Sequence, residues 1–342
     1  MSTLSPPLDS APASGTGERR WQRELAEAIR DPAVLCRELG LDPALAPAAA
    51  VAGEAFPLIV PRPFLARMVP GDPRDPLLLQ VLPQAAEGIA RPGWVADPLG
   101  ETRAMQAPAL VRKYAGRALL LATGACAVHC RYCFRRAFPY AEHGSTSAGI
   151  DAAVAAVAGD PSIREVILSG GDPLLLDDAR LGGLVARILA IPTVARLRIH
   201  TRLPIVIPSR VTPGLGTLLA AARTRPVVVI HANHPAEIDA DVAGALGRLA
   251  SAGVVLLNQA VLLAGVNDSA EAQIGLAERL LDAGVLPYYL HLPDRVAGTA
   301  HFDVSEAAAT RLLAVLRERL PGYAVPRLVR EVPGEPSKVV IA

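Results

Sequence analysis

The sequence predicts an open, partial (β/α)6 barrel, with a helical cap before it and a short segment after it. Three observations lead there. From residue 117 onward, an apolar run, a turn and a helical stretch follow one another six times, at a repeat of about 30 residues. Each apolar run ends in polar residues, as expected where a parallel sheet gathers its chemistry at the carboxyl ends of its strands. Hydrophobic residues make up 51% of 342 and aromatics only 4%, which suits layered strands and helices better than an aromatic-rich sandwich.

Taken in order, residues 1–17 are rich in Ser, Pro, Ala and Gly and lack the apolar stretch of a secretory signal, so they read as a disordered tail. Residues 18–110 read as the cap. Within it, 21–30 and 32–39 have the pattern of short amphipathic helices, and 56–64 is a proline-rich extended stretch. Cys36, in the second helix, reads as a small buried hydrophobe. Residues 111–303 carry the barrel. Its strands are expected at 118–122, 165–168, 197–200, 227–231, 254–259 and 286–290, and its helices at 148–158, 177–189, 214–222, 238–252 and 270–283. Residues 304–342 supply a helix at 305–319 and a closing segment. Six units are too few for an eight-stranded barrel and build an open one.

Formal charge is +1, so nothing calls for nucleic acid or an acidic membrane surface as partner. No run of 18 apolar residues offers a membrane span. Three of the four cysteines crowd between 126 and 133, too tight and too odd in number for an extracellular disulfide framework, and a cytoplasmic location is expected. Only two of the 34 basic residues are lysines, Lys113 and Lys338. A lysine kept in an arginine-dominated chain is a candidate for work arginine cannot do, such as forming a Schiff base.

The cysteines carry the sharpest signal. Cys126-Ala-Val-His-Cys130-Arg-Tyr-Cys133 has CxxxCxxC spacing directly after the first barrel strand. Three thiolates from one loop can hold a [4Fe–4S] cluster and leave one iron open to an outside ligand. A zinc site completed by His129 or His143, or plain structural thiols, are the alternatives. At the second strand end, Ser169, Gly170, Gly171 and Asp172 form a glycine-rich turn that lets backbone approach a ligand, with a carboxylate that can pair with an ammonium.

Together these segments resemble the radical S-adenosylmethionine superfamily. Within it the chain is similar to the lysine 2,3-aminomutases, nearest the EpmB branch associated with elongation factor P. The likeness runs from about residue 30 to the end, through 130–136, 169–174, 200–210, 256–263, 287–291 and 298–302. It implies that Cys126, Cys130 and Cys133 ligate the cluster and that Ser169, Gly170, Gly171, Asp172 and Gln259 contact S-adenosylmethionine. It implies that Lys338, closing Gly-Glu-Pro-Ser-Lys, is the Schiff-base lysine for pyridoxal 5′-phosphate, with Lys113, Tyr114 and Arg117 on the coenzyme's phosphate and ring. Arg135 then matches the arginine that clamps the substrate carboxylate. Asp294 and Glu331 match the two acids that receive the lysine ε-ammonium; the longer enzymes of the family carry aspartate at the second position. His200, His231 and His234 either line the site or simply satisfy strand ends.

The function so implied is conversion of free L-lysine to β-lysine, of R configuration in this branch, by a 5′-deoxyadenosyl radical and migration of an imine-bound amino group. The implied partners are a flavodoxin- or ferredoxin-like electron donor and a ligase that modifies elongation factor P. A catabolic or osmolyte-forming aminomutase acting on lysine, glutamate or arginine is the second reading. Paired acids speak against glutamate, and the short tail speaks against the catabolic form. A non-enzymatic Fe–S or zinc scaffold is the third, and it would have no use for Lys338.

Overall fold

In the computed structural model, residues 15–342 are described, and they build one ten-stranded sheet whose spatial order follows the chain. For residues 1–14 the reading as a tail lies outside the described residues; Gly15 to Gly17 begin the first helix, α1 (Gly15–Ala26). The cap continues with α2 (Pro32–Glu38), α3 (Leu45–Gly53) and the single turn α4 (Arg62–Leu65). Asp31 starts α2 by accepting from the Ala33 amide, and Pro32 sits where its missing N–H costs nothing. Cys36 is buried in α2, as its position among apolar neighbours predicts. Trp21 of α1 lies 5.0 Å from the guanidinium of the fully buried Arg210, which is held in turn by the Leu174 and Leu176 carbonyls. This contact fastens the cap to the barrel wall.

The barrel strands are β3 (Arg117–Thr123), β4 (Glu165–Gly170), β5 (Arg196–Thr201), β6 (Val227–Ile230), β7 (Val255–Val261) and β8 (Leu286–His291), each parallel to the next. They follow the six expected runs. The crossovers are α5 (Ser147–Gly159), α6 (Asp178–Leu189), the short α7 (Leu203–Val206) with α8 (Pro213–Ala220), α9 (Ala240–Ser251), α10 (Ala270–Asp282) and α11 (Glu306–Arg319). Six of these helices start on a short polar side chain that accepts from their first turn: Thr146, Asp177, Thr212, Asp239, Ser269 and Ser305. Each such cap contributes about 1 kcal/mol.

The sheet reaches beyond the six strands at both ends. Before it, β1 (Met105–Ala107) and β2 (Leu110–Val111) add an antiparallel hairpin onto β3. After it, β9 (Arg327–Arg330) joins β8 as a seventh parallel strand, and β10 (Val339–Val340) returns antiparallel on β9. The closing segment is therefore part of the sheet and carries its last residues back beside the barrel mouth. Of these, only β10 is announced, by the short apolar run that Lys338 opens; β1, β2 and β9 are too short to show alternation. Among the described residues no helix is long and apolar enough to cross a membrane.

Candidate active site

The polar strand ends converge on one cavity of about 570 Å³ at the carboxyl side of the sheet. Every candidate residue that the sequence marks for cluster, cofactor or substrate lines it. His234 does not; its ring Nδ1 accepts from the Ala236 amide and caps a turn after β6.

At one end stand Cys126, Cys130 and Cys133, in the loop after β3. Between the last two, Arg131 is completely buried. It donates to Glu87 of the cap and to the Phe56 carbonyl, which bolts the loop in place. His129 stacks on Phe56 at 4.4 Å, with its Nδ1 2.7 Å from the Pro57 carbonyl, so it is turned toward the cap. Among the described residues, no group of three or more His, Cys, Asp or Glu side chains stands close enough to hold a single metal ion. A cubane cluster spans its thiolates with several irons, so its ligands stand farther apart than those of one ion. Three thiols on one loop, facing a cavity and free of disulfides, fit such a group. Arg202, at the end of β5, donates to Cys130 Sγ at 2.7 Å and to Gln80 and Glu237 behind it, an electropositive neighbour for a thiolate.

The Ser-Gly-Gly-Asp turn at the end of β4 has a tighter reason for its glycines than ligand access. A Cβ on Gly171 would lie 2.0 Å from the Ala125 carbonyl oxygen, and one on Gly170 (φ +115°) 2.4 Å from that of Thr123. Their amides and that of Asp172 run along the start of the cysteine loop, with Gly171 N donating to Thr123 O and Asp172 N to Ala125 O. The two glycines thus admit the neighbouring loop, and both also line the cavity. Asp172 is likewise engaged. Its two oxygens accept from Thr201 Oγ1 and from the Leu174, Arg202 and Leu203 amides at 2.7–3.0 Å, tying β4 to β5. All four lone-pair directions are used, so the carboxylate is not a free partner for an ammonium here.

At the other end lies a row of alternating charges. Lys338 pairs with Glu331, which also touches Lys113 in an ion pair that leaves its Oε1 without an aligned hydrogen bond. Lys113 donates to Glu101 at 3.1 Å, and Glu101 takes two bonds from Arg135, at 2.6 and 2.9 Å. Burial opposes ionisation of Glu331, but Lys338 and Lys113 outweigh it and hold the carboxyl far below its usual range. Asp294 is the opposite case: burial and the Glu331 charge push it up to about 7. Lys113 is paired here with two acids, on the side of the cavity where the resemblance implies the coenzyme.

The wall beside Lys338 holds polar atoms with no partner: Tyr114 Oη, Arg117 Nε, His200 Nε2 and His291 Nε2, all buried. The Arg117 guanidinium stacks 4.9 Å from the Tyr114 ring, and Lys338 Nζ stands 6.0 Å from that of Tyr289. Unpaired buried donors around a lysine are what an anionic ring cofactor would satisfy, so the residues fit pyridoxal phosphate. Sequence reasoning missed Glu101, Arg202, His291 and the Tyr288–Tyr289 pair. His291 stands in a strand end that the sequence marks as polar, but Glu101 carries no local signal at all. His231 contacts Tyr132 Oη at 3.1 Å, and burial together with Arg202 lowers it to about 3, so it sits neutral in the cavity wall.

Comparison with known proteins gives the family. Residues 115–194 match the family model described as a 4Fe-4S single cluster domain. The chain is 44% identical over 325 residues to a protein of Haemophilus influenzae named L-lysine 2,3-aminomutase, covering 95% of this chain and 96% of that one. It is 46% identical over 322 residues to the Escherichia coli protein of the same name, covering 93% of each. A looser structural likeness, with a TM-score of 0.46 at 14% identity, covers 61% of this chain and 46% of Streptococcus suis SuiB, solved bound to its precursor peptide SuiA.

Proposed function

The chain belongs to the L-lysine 2,3-aminomutase family, and from that premise we propose that it turns free L-lysine into β-lysine, of R configuration, for attachment to elongation factor P by a partner ligase in the cytoplasm. It is an isomerase whose cofactors are a [4Fe–4S] cluster, S-adenosylmethionine and pyridoxal 5′-phosphate. When bound, these supply a carbon radical able to break an unactivated C–H bond and a π-bond through which the amino group moves.

The residues divide the remaining work. Cys126, Cys130 and Cys133 hold the cluster at the barrel mouth. Gln259 and the Ser169–Gly171 backbone line the adjoining stretch of cavity that receives S-adenosylmethionine. Lys338 holds the coenzyme, with Tyr114 and Arg117 on its phosphate side. Arg135 binds the substrate carboxylate, a charge-assisted contact suited to guanidinium. Asp294 and Glu331 receive the ε-ammonium. An electron donor of the flavodoxin or ferredoxin kind reduces the cluster.

One observation carries the reading. A single cavity is lined by the three thiols, by the two lysines of the chain with Glu331 paired to both, and by Arg135 and Asp294. The test is product analysis. Reduced, cofactor-loaded enzyme is incubated with lysine, glutamate or arginine, and β-amino products are resolved on a chiral column. Lysine giving (R)-β-lysine is the expected result. Glutamate outpacing lysine would refute the role of both acids, which would repel a further carboxylate.

A further inference from the structure

Glu101 has no place in the sequence reading, yet its carboxylate is 1% exposed and lies at the centre of the charged row. Its backbone is fixed to put it there. Asp97 accepts from the Glu101 amide at 2.9 Å and from the Thr102 amide and hydroxyl, which fixes the turn that aims the side chain inward. One oxygen takes Lys113 and one Arg135 nitrogen, and the other takes Arg135 Nε.

Arginine has five N–H groups in a rigid fork. Glu101 engages the Nε–Nη2 edge of Arg135. Nη1 donates to Ser169 Oγ at 3.0 Å and weakly to the Gly170 carbonyl at 3.4 Å. With Nη1 shared between Ser169 and Gly170, the donor that no protein group takes is the second N–H of Nη2. We propose that Glu101 is a positioning residue that pins the Nε–Nη2 edge of Arg135 so that the remaining Nη2 N–H is aimed at the substrate carboxylate. The inference rests on the reading of Arg135 as the carboxylate clamp. It adds that the clamp is a three-part device, in which a cap carboxylate and the Ser169 hydroxyl fix the guanidinium plane before substrate arrives. Such fixing matters because a flexible arginine would otherwise have to be ordered each time substrate binds.

The test compares lysine with cadaverine, which keeps both amines and lacks the carboxylate. Each is titrated into protein loaded with cluster, S-adenosylmethionine and pyridoxal phosphate, without reductant, and the coenzyme absorbance is followed. In Glu101→Gln, lysine affinity should fall about tenfold, as for loss of one charge-assisted bond, while cadaverine stays within about twofold. Glu101→Asp keeps the charge with a shorter reach and should lie between; it carries the same comparison if the Gln variant does not load its cofactors. An equal loss for both ligands would make Glu101 a mere support of the site and overturn the proposal, as would unchanged or tighter lysine binding. Arg135→Gln separates the two levels. If it leaves the lysine-to-cadaverine ratio untouched, the clamp reading itself fails, whatever Glu101 does.

Discussion

Lys338, Glu331 and Asp294 form a small electrostatic problem that has different solutions in the empty and the loaded site. With both lysines charged, Glu331 is fully ionised, and its charge together with burial keeps Asp294 near neutrality at about 7. A cationic side chain arriving between the acids favours the ionised form of Asp294. Below about pH 7 the empty site holds the proton and the loaded site gives it up, so affinity for lysine should rise as the pH climbs toward 7 and level off above it. Calorimetry in buffers of different ionisation enthalpy should detect the released proton, and Asp294→Asn should flatten both the release and the pH slope. A slope unchanged in that variant would place the titrating group elsewhere. The lysines are separable by chemistry. Borohydride reduction of coenzyme-loaded protein should fix the label on Lys338 alone, because Lys113 is occupied on both sides by Glu101 and Glu331. Label on Lys113 would overturn the assignment of the tail.

At the scale of elements, what holds the cysteine loop is the end of β4. Gly170 and Gly171 pass so close to residues 123–125 that any side chain collides with backbone, which cannot swing aside as a flexible chain end would. Gly171→Ala should therefore push the loop away by the overlap at the Ala125 carbonyl, costing about 1–3 kcal/mol as overpacking does. Iron content after anaerobic reconstitution should fall sharply while helical circular dichroism is retained. Full iron content in this variant would show that the loop tolerates the shift. The Ser-Gly-Gly-Asp segment is legible in the sequence as a functional turn, but not in its detail. A sequence shows that glycine permits close approach; it does not show what approaches. The same limit hides the sheet edges. The six barrel strands announce themselves by apolar runs, whereas β2 is a pair of residues whose strand character comes entirely from the neighbours it bonds.

The site is assembled from parts far apart in the chain: Glu87 and Glu101 from the segment before the sheet, the cysteines after β3, Asp294 after β8, and Glu331 and Lys338 beside the last two strands. The cysteines stand out by their spacing and Lys338 as one of only two lysines, whereas Arg135, one arginine among many, is marked only by the family resemblance. Glu87 and Glu101 carry no such mark, since their meaning lies in which cations the fold brings against them. Glu87 makes the point for the molecule as a whole. Its side chain, 2% exposed, pairs with the fully buried Arg131 inside the cysteine loop and with Arg136 just beyond it, so one carboxylate joins cap to barrel at the cluster. Replacing it with Gln removes the charge and leaves Arg131 buried with a weaker partner, and breaking such a pair costs about 3–5 kcal/mol. Glu87→Gln should thus lower the unfolding midpoint in denaturant and loosen the Phe56–His129 contact that the cap makes with the loop. Because that contact ties the cap to the cysteine loop, oxygen should bleach the reconstituted cluster faster in the variant at denaturant concentrations well below its midpoint. Removing both partners, as Glu87→Met with Arg131→Met, takes away the charge stranded on Arg131 and should recover part of the stability, Arg136 still lacking its carboxylate. A double variant no more stable than Glu87→Gln would mean that the cap is held by its apolar contacts, with the ion pair incidental to its docking.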